Sequence, residues 1–363
     1  MNPEPKSPPS GSAFWRLLLA AFLVMLVAAG AAGLEAFRFL NTAPNPLATE
    51  KVRFEIPFGT PAPGVARQLK ELGLITEERH FYWYIRARQA AIKAGEYEMA
   101  PSLKPPEVLK LLESGMVVWH EFRFPEGITG WEVARRLAAD GFGAEAEFVA
   151  LIYSPEFAAE LGIPSDRIEG YLFPAVHRFS KPFRPAGILR QMVQALRNNV
   201  PASLIEEGRA RGLKDFHEIL TLASIIEKET GLASERTVIS SVFHNRLVKR
   251  MRLQTDPTVI YGLLPFFDGN IRRDDLTRDH PYNTYTRAGL PPGPIAQPGL
   301  ASIEAAVRPA DTEYLFFVSR NDGSHVFTRT YAEHNEAVAY WQMNAARRRM
   351  MREKAKERAA PGP

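Results

Sequence analysis

The most apolar stretch of the chain runs from Leu17 to Leu34 without a charged residue. Eighteen apolar or small residues in succession are just enough for a helix that crosses a bilayer. This pattern predicts a transmembrane anchor over residues 14–36, and the cations Lys6 and Arg16 before it predict a cytoplasmic N-terminus. The alternative is a cleaved signal peptide, but the run is longer than the apolar part of most signal peptides. We therefore favour an uncleaved anchor.

Three further segments are predicted to lie outside the folded domains. Residues 1–13 are rich in Pro and Ser and are predicted to be disordered. Residues 37–50 contain two prolines and are predicted to form a linker that follows the membrane anchor. At the other end, residues 343–363 carry many basic side chains and predict a solvated basic tail.

A pattern of aromatic residues, Pro and Gly recurs at an offset of 68 residues. Phe54-Glu-Ile-Pro-Phe-Gly59 is matched by Phe122-Arg-Phe-Pro-Glu-Gly127, and Val-Ala-Arg and then Leu follow in both copies. Each copy predicts a short strand, a turn at Pro-x-Gly and a helix. The first copy belongs to a small module over residues 51–115, and the second lies in a larger domain over residues 116–342. The predicted fold class is α+β.

The small module continues with two predicted helices and a strand. A helix over 77–89 carries four consecutive aromatic residues, a strand follows near 93–97, and a second helix spans 105–114. The resulting order is strand, helix, helix, strand. The aromatic side chains could stack on sugar rings, although for any one of them a place in the core is the commoner outcome.

The helical pattern from Leu220 to Thr230 contains neither Gly nor Pro and predicts two acidic residues in different surroundings. Glu229 falls on the apolar stripe of this helix, whereas Glu227 points towards the solvated side. A carboxyl group held against apolar neighbours keeps its proton nearer to neutral pH, as a general acid must. Glu229 is therefore the candidate acid and Glu227 a predicted surface charge. The alternative for Glu229 is a charge at the rim of the helix that pairs with a Lys or Arg.

Composition narrows the kinds of chemistry that this chain can carry out. The 363 residues include no cysteine and carry a modest net charge of +4, without a nucleic-acid-binding motif. Disulfides and thiolate metal sites are therefore excluded. No His-Glu-x-x-His spacing occurs, and His325 and His334 are predicted to have surface or structural roles. We predict neither a metal nor a cofactor.

Polar residues in predicted loops after the acid are candidates for sugar binding, because polar loops on a rigid scaffold commonly bind ligands. Gln254, Thr255 and Asp256 precede a proline that favours an extended backbone. A second group supplies aromatic rings and amides before a Gly- and Pro-rich loop. For each group an ordinary structural role is the alternative, and for Glu169 this would be a salt bridge. The predicted substrate-binding residues are Gln254, Thr255, Asp256, Asn245, Tyr282, Asn283, Tyr285 and Glu169.

Five long motifs resemble those of the endolytic murein transglycosylases of the YceG-like family. They are Ala223-Ser-Ile-Ile-Glu-Lys-Glu-Thr230, Ser241-Val-Phe-His-Asn-Arg-Leu247, Arg252-Leu-Gln-Thr-Asp-Pro-Thr-Val-Ile-Tyr-Gly262, Pro281-Tyr-Asn-Thr-Tyr285 and Gly289-Leu-Pro-Pro-Gly-Pro-Ile295. The resemblance implies a LysM-like module over 51–115 followed by a catalytic domain over 116–342. It also implies that Glu229, the second Glu of Glu-Lys-Glu-Thr, is the catalytic residue.

The resemblance further implies a reaction, a substrate and a location. The substrate would be a peptidoglycan glycan strand, cleaved between N-acetylmuramic acid and N-acetylglucosamine to leave a 1,6-anhydro end and to terminate strand growth. Peptidoglycan synthases are possible partners. The enzyme would be anchored by a single span in the bacterial inner membrane, with its catalytic domain outside the cytoplasm. Two alternatives stay open: a non-catalytic glycan-binding scaffold, and a hydrolase that uses water with Asp256 as a second carboxylate.

Overall fold

The computed structural model describes residues 11–343, with side chains from 14 to 342. The disorder predicted for residues 1–13 lies outside the described residues up to residue 10, but residues 11–13 belong to a helix, so the prediction is wrong for these three. The basic tail predicted beyond residue 343 also lies outside the described residues. The chain divides into two compact units, which are described separately. One ends at His120 and includes Phe179–Pro182, and the other comprises Glu121–Arg178 and the chain from Phe183 onward.

The first unit contains one long helix and a small α/β fold. Its elements in chain order are α1 (Gly11–Asn41), β1 (Val52–Ile56), α2 (Ala62–Glu71), α3 (Glu78–Arg88), β2 (Gly95–Met99) and α4 (Pro105–Ser114). Strands β1 and β2 pair antiparallel, with Phe54 opposite Tyr97. The predicted order of strand, helix, helix and strand is confirmed. Phe81 of α3 is buried in the core, whereas Trp83 on the same helix is exposed.

Helix α1 is long and apolar enough to cross a membrane from Phe14 onward. It continues to Asn41, so the linker predicted from residue 37 begins later than expected. The reason is that the last turn of the helix packs into the core of the first unit. Phe39 is buried and packs in the core of the first unit with residues of β1, α2 and α4.

The second unit is mostly helical. Its elements in chain order, starting from the strand that crosses the boundary, are β3 (His120–Arg123), α5 (Gly130–Ala139), α6 (Glu145–Ile152), α7 (Pro155–Glu160), β4 (Val176–Phe179), α8 (Pro185–Asn199), α9 (Ala202–Ala210), α10 (Phe216–Glu229), α11 (Arg236–Val248), α12 (Asp256–Leu263), α13 (Arg273–Thr277), α14 (Leu300–Val307), β5 (Phe316–Ser319), β6 (His325–Thr328) and α15 (Tyr331–Val338). Strand β3 pairs with β4, and β5 pairs with β6.

Helix α10 occupies the centre of this unit, as its apolar pattern requires. It packs against α9, α11, α12 and α14, and every residue from Ile219 to Ile226 is buried. The N-terminus is capped by Asp215, whose carboxylate accepts a hydrogen bond from the backbone N–H of Glu218 at 2.9 Å. The predicted helix is confirmed, and the C-terminus of a rigid, buried helix is the element that carries Glu229.

The repeated motif forms the predicted strand, turn and helix in both units. Gly59 and Gly127 end their strands at φ values of 79° and 76°, a left-handed conformation that favours glycine. In the second copy Thr129 caps α5, and Glu132 completes a capping box. Both copies of the motif therefore place a glycine where the turn requires a left-handed backbone.

The segment before α11 contacts the hairpin of β5 and β6. A short 3₁₀ turn spans Ala233–Glu235, and α11 starts at Arg236 without a side-chain cap. The carboxylate of Glu235 is engaged instead with His325 of the hairpin. Strands β5 and β6 form this hairpin as an antiparallel pair, with Phe317 opposite Phe327.

Candidate active site

Glu229 ends α10, and its side chain is half-buried. The hydroxyl of Thr255, itself buried, donates a hydrogen bond to Oε1 of Glu229. Burial raises the pKa of Glu229 to about 7, the Thr255 hydrogen bond opposes this rise, and the negative charge of Asp256 adds to it. Glu229 thus combines the proton retention of a buried carboxyl group with access to solvent.

The groove beside Glu229 has a volume of about 410 Å³. It mixes hydrogen-bonding side chains with aromatic rings, as ligand sites commonly do. The residues that line it include Glu229, Arg246, Gln254, Asp256, Tyr285, Phe316, Phe317, His325, Tyr331 and His334. The structure therefore brings four of the residues expected from the sequence to one groove, and Thr255 lies directly behind it.

The loop before α12 is held by hydrogen bonds to the segment that carries Tyr285. The backbone N–H of Gln254 donates to the carbonyl of Thr284 at 3.2 Å, and that of Thr255 donates to the Thr284 hydroxyl at 3.1 Å. Gln254 has a φ of 49°, which costs energy for a residue other than glycine. The Tyr285 hydroxyl donates to Oδ1 of Asp256 at 2.6 Å. The polar groups of the groove are therefore positioned by both segments.

Arg246 and His325 are two of the groove residues that were not predicted from the sequence as site residues. Arg246 is buried and donates to the carbonyl oxygens of Leu253 and Leu315 at 2.7 and 2.6 Å, so it ties the polar loop to the hairpin. His325 was predicted to have a surface or structural role, yet it lines the groove. Its Nδ1 lies 2.7 Å from Oε2 of Glu235. Leu315 and Glu235 lie 69 and 90 residues from their partners, so the sequence did not show that Arg246 and His325 would meet in the groove.

Four of the predicted binding residues lie outside the groove: Asn245, Tyr282, Asn283 and Glu169. Asn245 donates to the carbonyls of Thr312 and Tyr314, and Asn283 is buried and donates to three backbone carbonyls, so both amides have structural roles in this conformation. Tyr282 lines a second cavity rather than the groove of Glu229. The sequence placed these residues correctly in loops or helices but could not show which way they face.

Glu169 is fully buried, with an exposed fraction of 0%. Its carboxylate accepts hydrogen bonds from the Gly130 N–H at 2.9 Å, the Tyr153 hydroxyl at 2.7 Å, the Tyr261 hydroxyl at 3.2 Å and the Gln297 amide. Burial raises the pKa of Glu169 to about 7. This placement is at odds with the expected contact to substrate, because no surface of the side chain is accessible. Glu169 instead joins α5, α6, α12 and the Gly- and Pro-rich loop.

The prediction that Glu227 is a surface charge is wrong. Its side chain is only 8% exposed, and its carboxylate accepts a hydrogen bond from the Gly299 N–H at 3.0 Å. Gly299 precedes α14, so the carboxylate lies at the positive end of that helix, with Arg236 also nearby. The helical wheel predicted that this side of α10 faces solvent, whereas in the structure α14 covers it.

The raised pKa values of Glu169 and Glu229 predict how the stability of the fold depends on pH. Glu169 and Glu229 have pKa values of about 7 in the folded chain, above the usual 4.5. Between these values the folded chain holds more protons than the unfolded chain, so each group lowers the free energy of unfolding as the pH rises, by up to about 1.4 kcal/mol per pH unit. Urea unfolding across this window measures the slope. Removal of Glu229 should change the slope by this amount, and identical slopes would contradict the prediction.

The comparisons with known proteins agree on one family. Residues 54–340 match the YceG-like family. The chain belongs to the YceG-like family. Among its YceG-like relatives is a Bacillus subtilis protein named endolytic murein transglycosylase, which is 33% identical over 79% of this chain and 83% of its own length. A Streptococcus pneumoniae protein of the same name is 26% identical over 88% of this chain and 64% of its own length.

A solved structure supports the same assignment. The crystal structure of a yceG-like protein from Listeria monocytogenes is 33% identical in sequence and aligns with a TM-score of 0.55. The alignment covers 79% of this chain and 99% of that protein. The family resemblance expected from the five motifs is thereby confirmed.

Proposed function

We propose that this YceG-like protein is an endolytic murein transglycosylase that cleaves the β-1,4 bond between N-acetylmuramic acid and N-acetylglucosamine within peptidoglycan glycan strands. Its relatives from Bacillus subtilis and Streptococcus pneumoniae carry that name. The observation that supports it best is Glu229, a half-buried carboxyl group with a raised pKa, which faces a groove lined by polar and aromatic side chains.

Glu229 acts first as an acid. Its carboxyl group gives a proton to the bridging oxygen, and the bond between that oxygen and the anomeric carbon of the muramic acid breaks as positive charge develops on the sugar. A pKa near 7 suits this step, because much of the carboxyl population is then protonated near neutral pH. The N-acetylglucosamine leaves with a free hydroxyl group, and Glu229 becomes a carboxylate.

Glu229 then acts as a base. The carboxylate takes the proton of the muramyl 6-hydroxyl, and the oxygen of that hydroxyl bonds to the anomeric carbon to close a 1,6-anhydro ring. The nucleophile belongs to the substrate, so one carboxyl group serves both steps and returns to its protonated form. Gln254, Asp256 and Tyr285 are the proposed contacts to the sugars, and Thr255 positions Glu229.

The first unit has a proposed role in location and binding. Helix α1 would span the inner membrane once, with the N-terminus in the cytoplasm and the chain after α1 outside it, where glycan strands are assembled. The strand-helix-helix-strand fold after it would be a LysM-like module that binds glycan. Cleavage near the membrane would terminate strand growth beside the synthases that extend the strands.

Mass spectrometry of digested peptidoglycan tests the proposed reaction. The expected products carry 1,6-anhydro ends. Reducing ends would instead identify a hydrolase that uses water, and an absence of cleavage would identify a glycan-binding scaffold. The purified full-length chain and its Glu229→Gln variant should be compared in the same digest.

The neighbours of Glu229 should shift the pH dependence of cleavage in opposite directions. The Thr255 hydroxyl lowers the pKa of Glu229, so Thr255→Val should move the alkaline fall of activity to higher pH. The charge of Asp256 raises that pKa, so Asp256→Asn should move the fall to lower pH. Normalised pH–rate profiles for the release of anhydro ends measure both shifts, with Thr286→Val as a control. Shifts in the same direction would contradict this account.

A further inference from the structure

The second unit contains another cavity, which the proposed reaction does not use. It has a volume of about 440 Å³ and is called the aromatic cavity below. Its lining includes Trp131, Ser165, Arg167, Tyr261, His280 and Tyr282. Aromatic rings together with a few polar side chains are a composition typical of ligand sites.

The aromatic rings that line the cavity are held in place by stacking contacts and by hydrogen bonds to a buried carboxylate. The ring of Trp131 stacks on that of Tyr153 with centroids 4.1 Å apart, and the rings of Tyr261 and Tyr282 lie 4.8 Å apart. The hydroxyls of Tyr153 and Tyr261 both donate to the buried carboxylate of Glu169. The hydroxyl groups are thus satisfied in the interior. This arrangement orients the rings before any ligand arrives.

The aromatic cavity and the groove of Glu229 share two structural elements. Helix α12 begins with Asp256 in the groove, and its Tyr261 and Gly262 line the cavity. The rise along the helix from Asp256 to Gly262 is about 9 Å. The segment of residues 280–285 likewise has Tyr282 in the cavity and Tyr285 in the groove. The two sites are therefore joined by one helix and one short segment of the chain.

We propose that the aromatic cavity is a second glycan subsite, which holds a sugar ring of the same strand whose scissile bond lies at Glu229. This inference rests on the proposed function. The ring face of Trp131 would stack on the sugar, and Ser165 and His280 would meet its hydroxyls.

The charge balance of the aromatic cavity favours a neutral occupant. The guanidinium group of Arg167 makes two hydrogen bonds to the Asp166 carboxylate, at 2.7 and 2.8 Å. Its positive charge is thus already paired within the lining. An anionic peptide stem would need an unpaired cation there, whereas a sugar ring needs an aromatic face and hydrogen-bonding groups.

The dependence of KM on the length of the glycan strand distinguishes binding in the aromatic cavity from binding in the groove of Glu229. Denuded glycan strands, from which the peptide stems have been removed, are supplied as a short oligosaccharide that fills only the groove and as long strands. Trp131→Ala should raise KM for long strands by about threefold to tenfold, leave kcat unchanged and leave the short substrate unaffected. Ser165→Trp should do the same by filling the cavity, and it tests the site even if Trp131→Ala unfolds.

Two further arms complete the experiment. Val248→Ala removes an apolar side chain of the second unit that is 82% exposed and lines neither site, and it should leave both KM values unchanged. Binding of long strands is also titrated with these substitutions placed in the Glu229→Gln chain, so that the result does not depend on turnover. If the wild type bound long strands through the cavity but cleaved none, the proposed function would fail while the subsite stood.

Several outcomes would overturn the subsite. One is an equal effect of Ser165→Trp on short and long strands, and another is no effect on either. A loss seen only with strands that carry peptide stems would assign the cavity to the peptide instead of the sugar. The expected result is a defect that grows with strand length on denuded glycan.

Discussion

Glu229→Gln should reduce the release of anhydro ends by about 10²-fold to 10⁴-fold, which is the usual contribution of a positioned acid–base group. The amide has nearly the same shape as the carboxyl group and still offers an oxygen to the Thr255 hydroxyl. It has no proton to give to the bridging oxygen and cannot accept one from the muramyl hydroxyl. Quantitative mass spectrometry of the digest measures the loss. A variant that released these ends at the wild-type rate would remove Glu229 from the mechanism.

A gain in stability should accompany this loss of activity. The wild-type chain loses stability as Glu229 ionises between pH 4.5 and about 7, and the neutral amide does not. Relative to the wild type, Glu229→Gln should therefore gain about 3 kcal/mol of unfolding free energy across that window. Glu206→Gln is the matched control, since Glu206 is largely exposed, and it should leave activity unchanged. Inactivity caused by unfolding would appear as a loss of stability instead.

Glu169→Ala should lower the free energy of unfolding by at least about 3 kcal/mol. The substitution leaves four buried donors without their acceptor: the Gly130 N–H, the Tyr153 and Tyr261 hydroxyls and the Gln297 amide. It also opens a cavity where four segments of the chain meet. Urea unfolding near pH 7 measures the change.

Glu169→Gln is the informative companion to Glu169→Ala. The amide fills the same volume and keeps one acceptor oxygen, but its NH₂ group faces donors, so its loss of stability should be intermediate. Glu156→Gln, on the exposed surface of α7, should cost much less than Glu169→Ala, because its hydrogen bond with the Ser154 hydroxyl lies in solvent. If Glu169→Ala were no more harmful than Glu156→Gln, the role of Glu169 in holding the second unit together would be wrong.

The sequence predicted those features that depend on neighbouring residues. The uninterrupted apolar spacing from Leu220 to Thr230 predicts α10, and the place of Glu229 on its apolar stripe predicts a carboxyl group that is hard to ionise. The Pro-x-Gly repeat predicts two turns because the glycine conformation is a local property. Helix type, turn type and the choice of candidate acid were therefore accessible without a structure.

Features that depend on distant partners were not accessible. Glu227 resembles a solvated charge on a helical wheel, but the N-terminus of α14 covers it, and that helix begins at residue 300. Glu169 accepts hydrogen bonds from residues as far apart in sequence as Gly130 and Gln297. Its burial therefore depends on the complete fold. His325 enters the groove because Glu235 holds its backbone and its ring. A single sequence does not encode these pairings in any local pattern.

The pH dependence of kcat/KM for the release of anhydro ends tests the central claim most directly, because it reports the pKa of the essential acid in the free enzyme. For the wild type we expect activity to fall on the alkaline side with a midpoint of about 7, set by Glu229. A rate that stayed constant well above neutral pH, or that already fell near the ordinary carboxyl pKa of 4.5, would contradict the account.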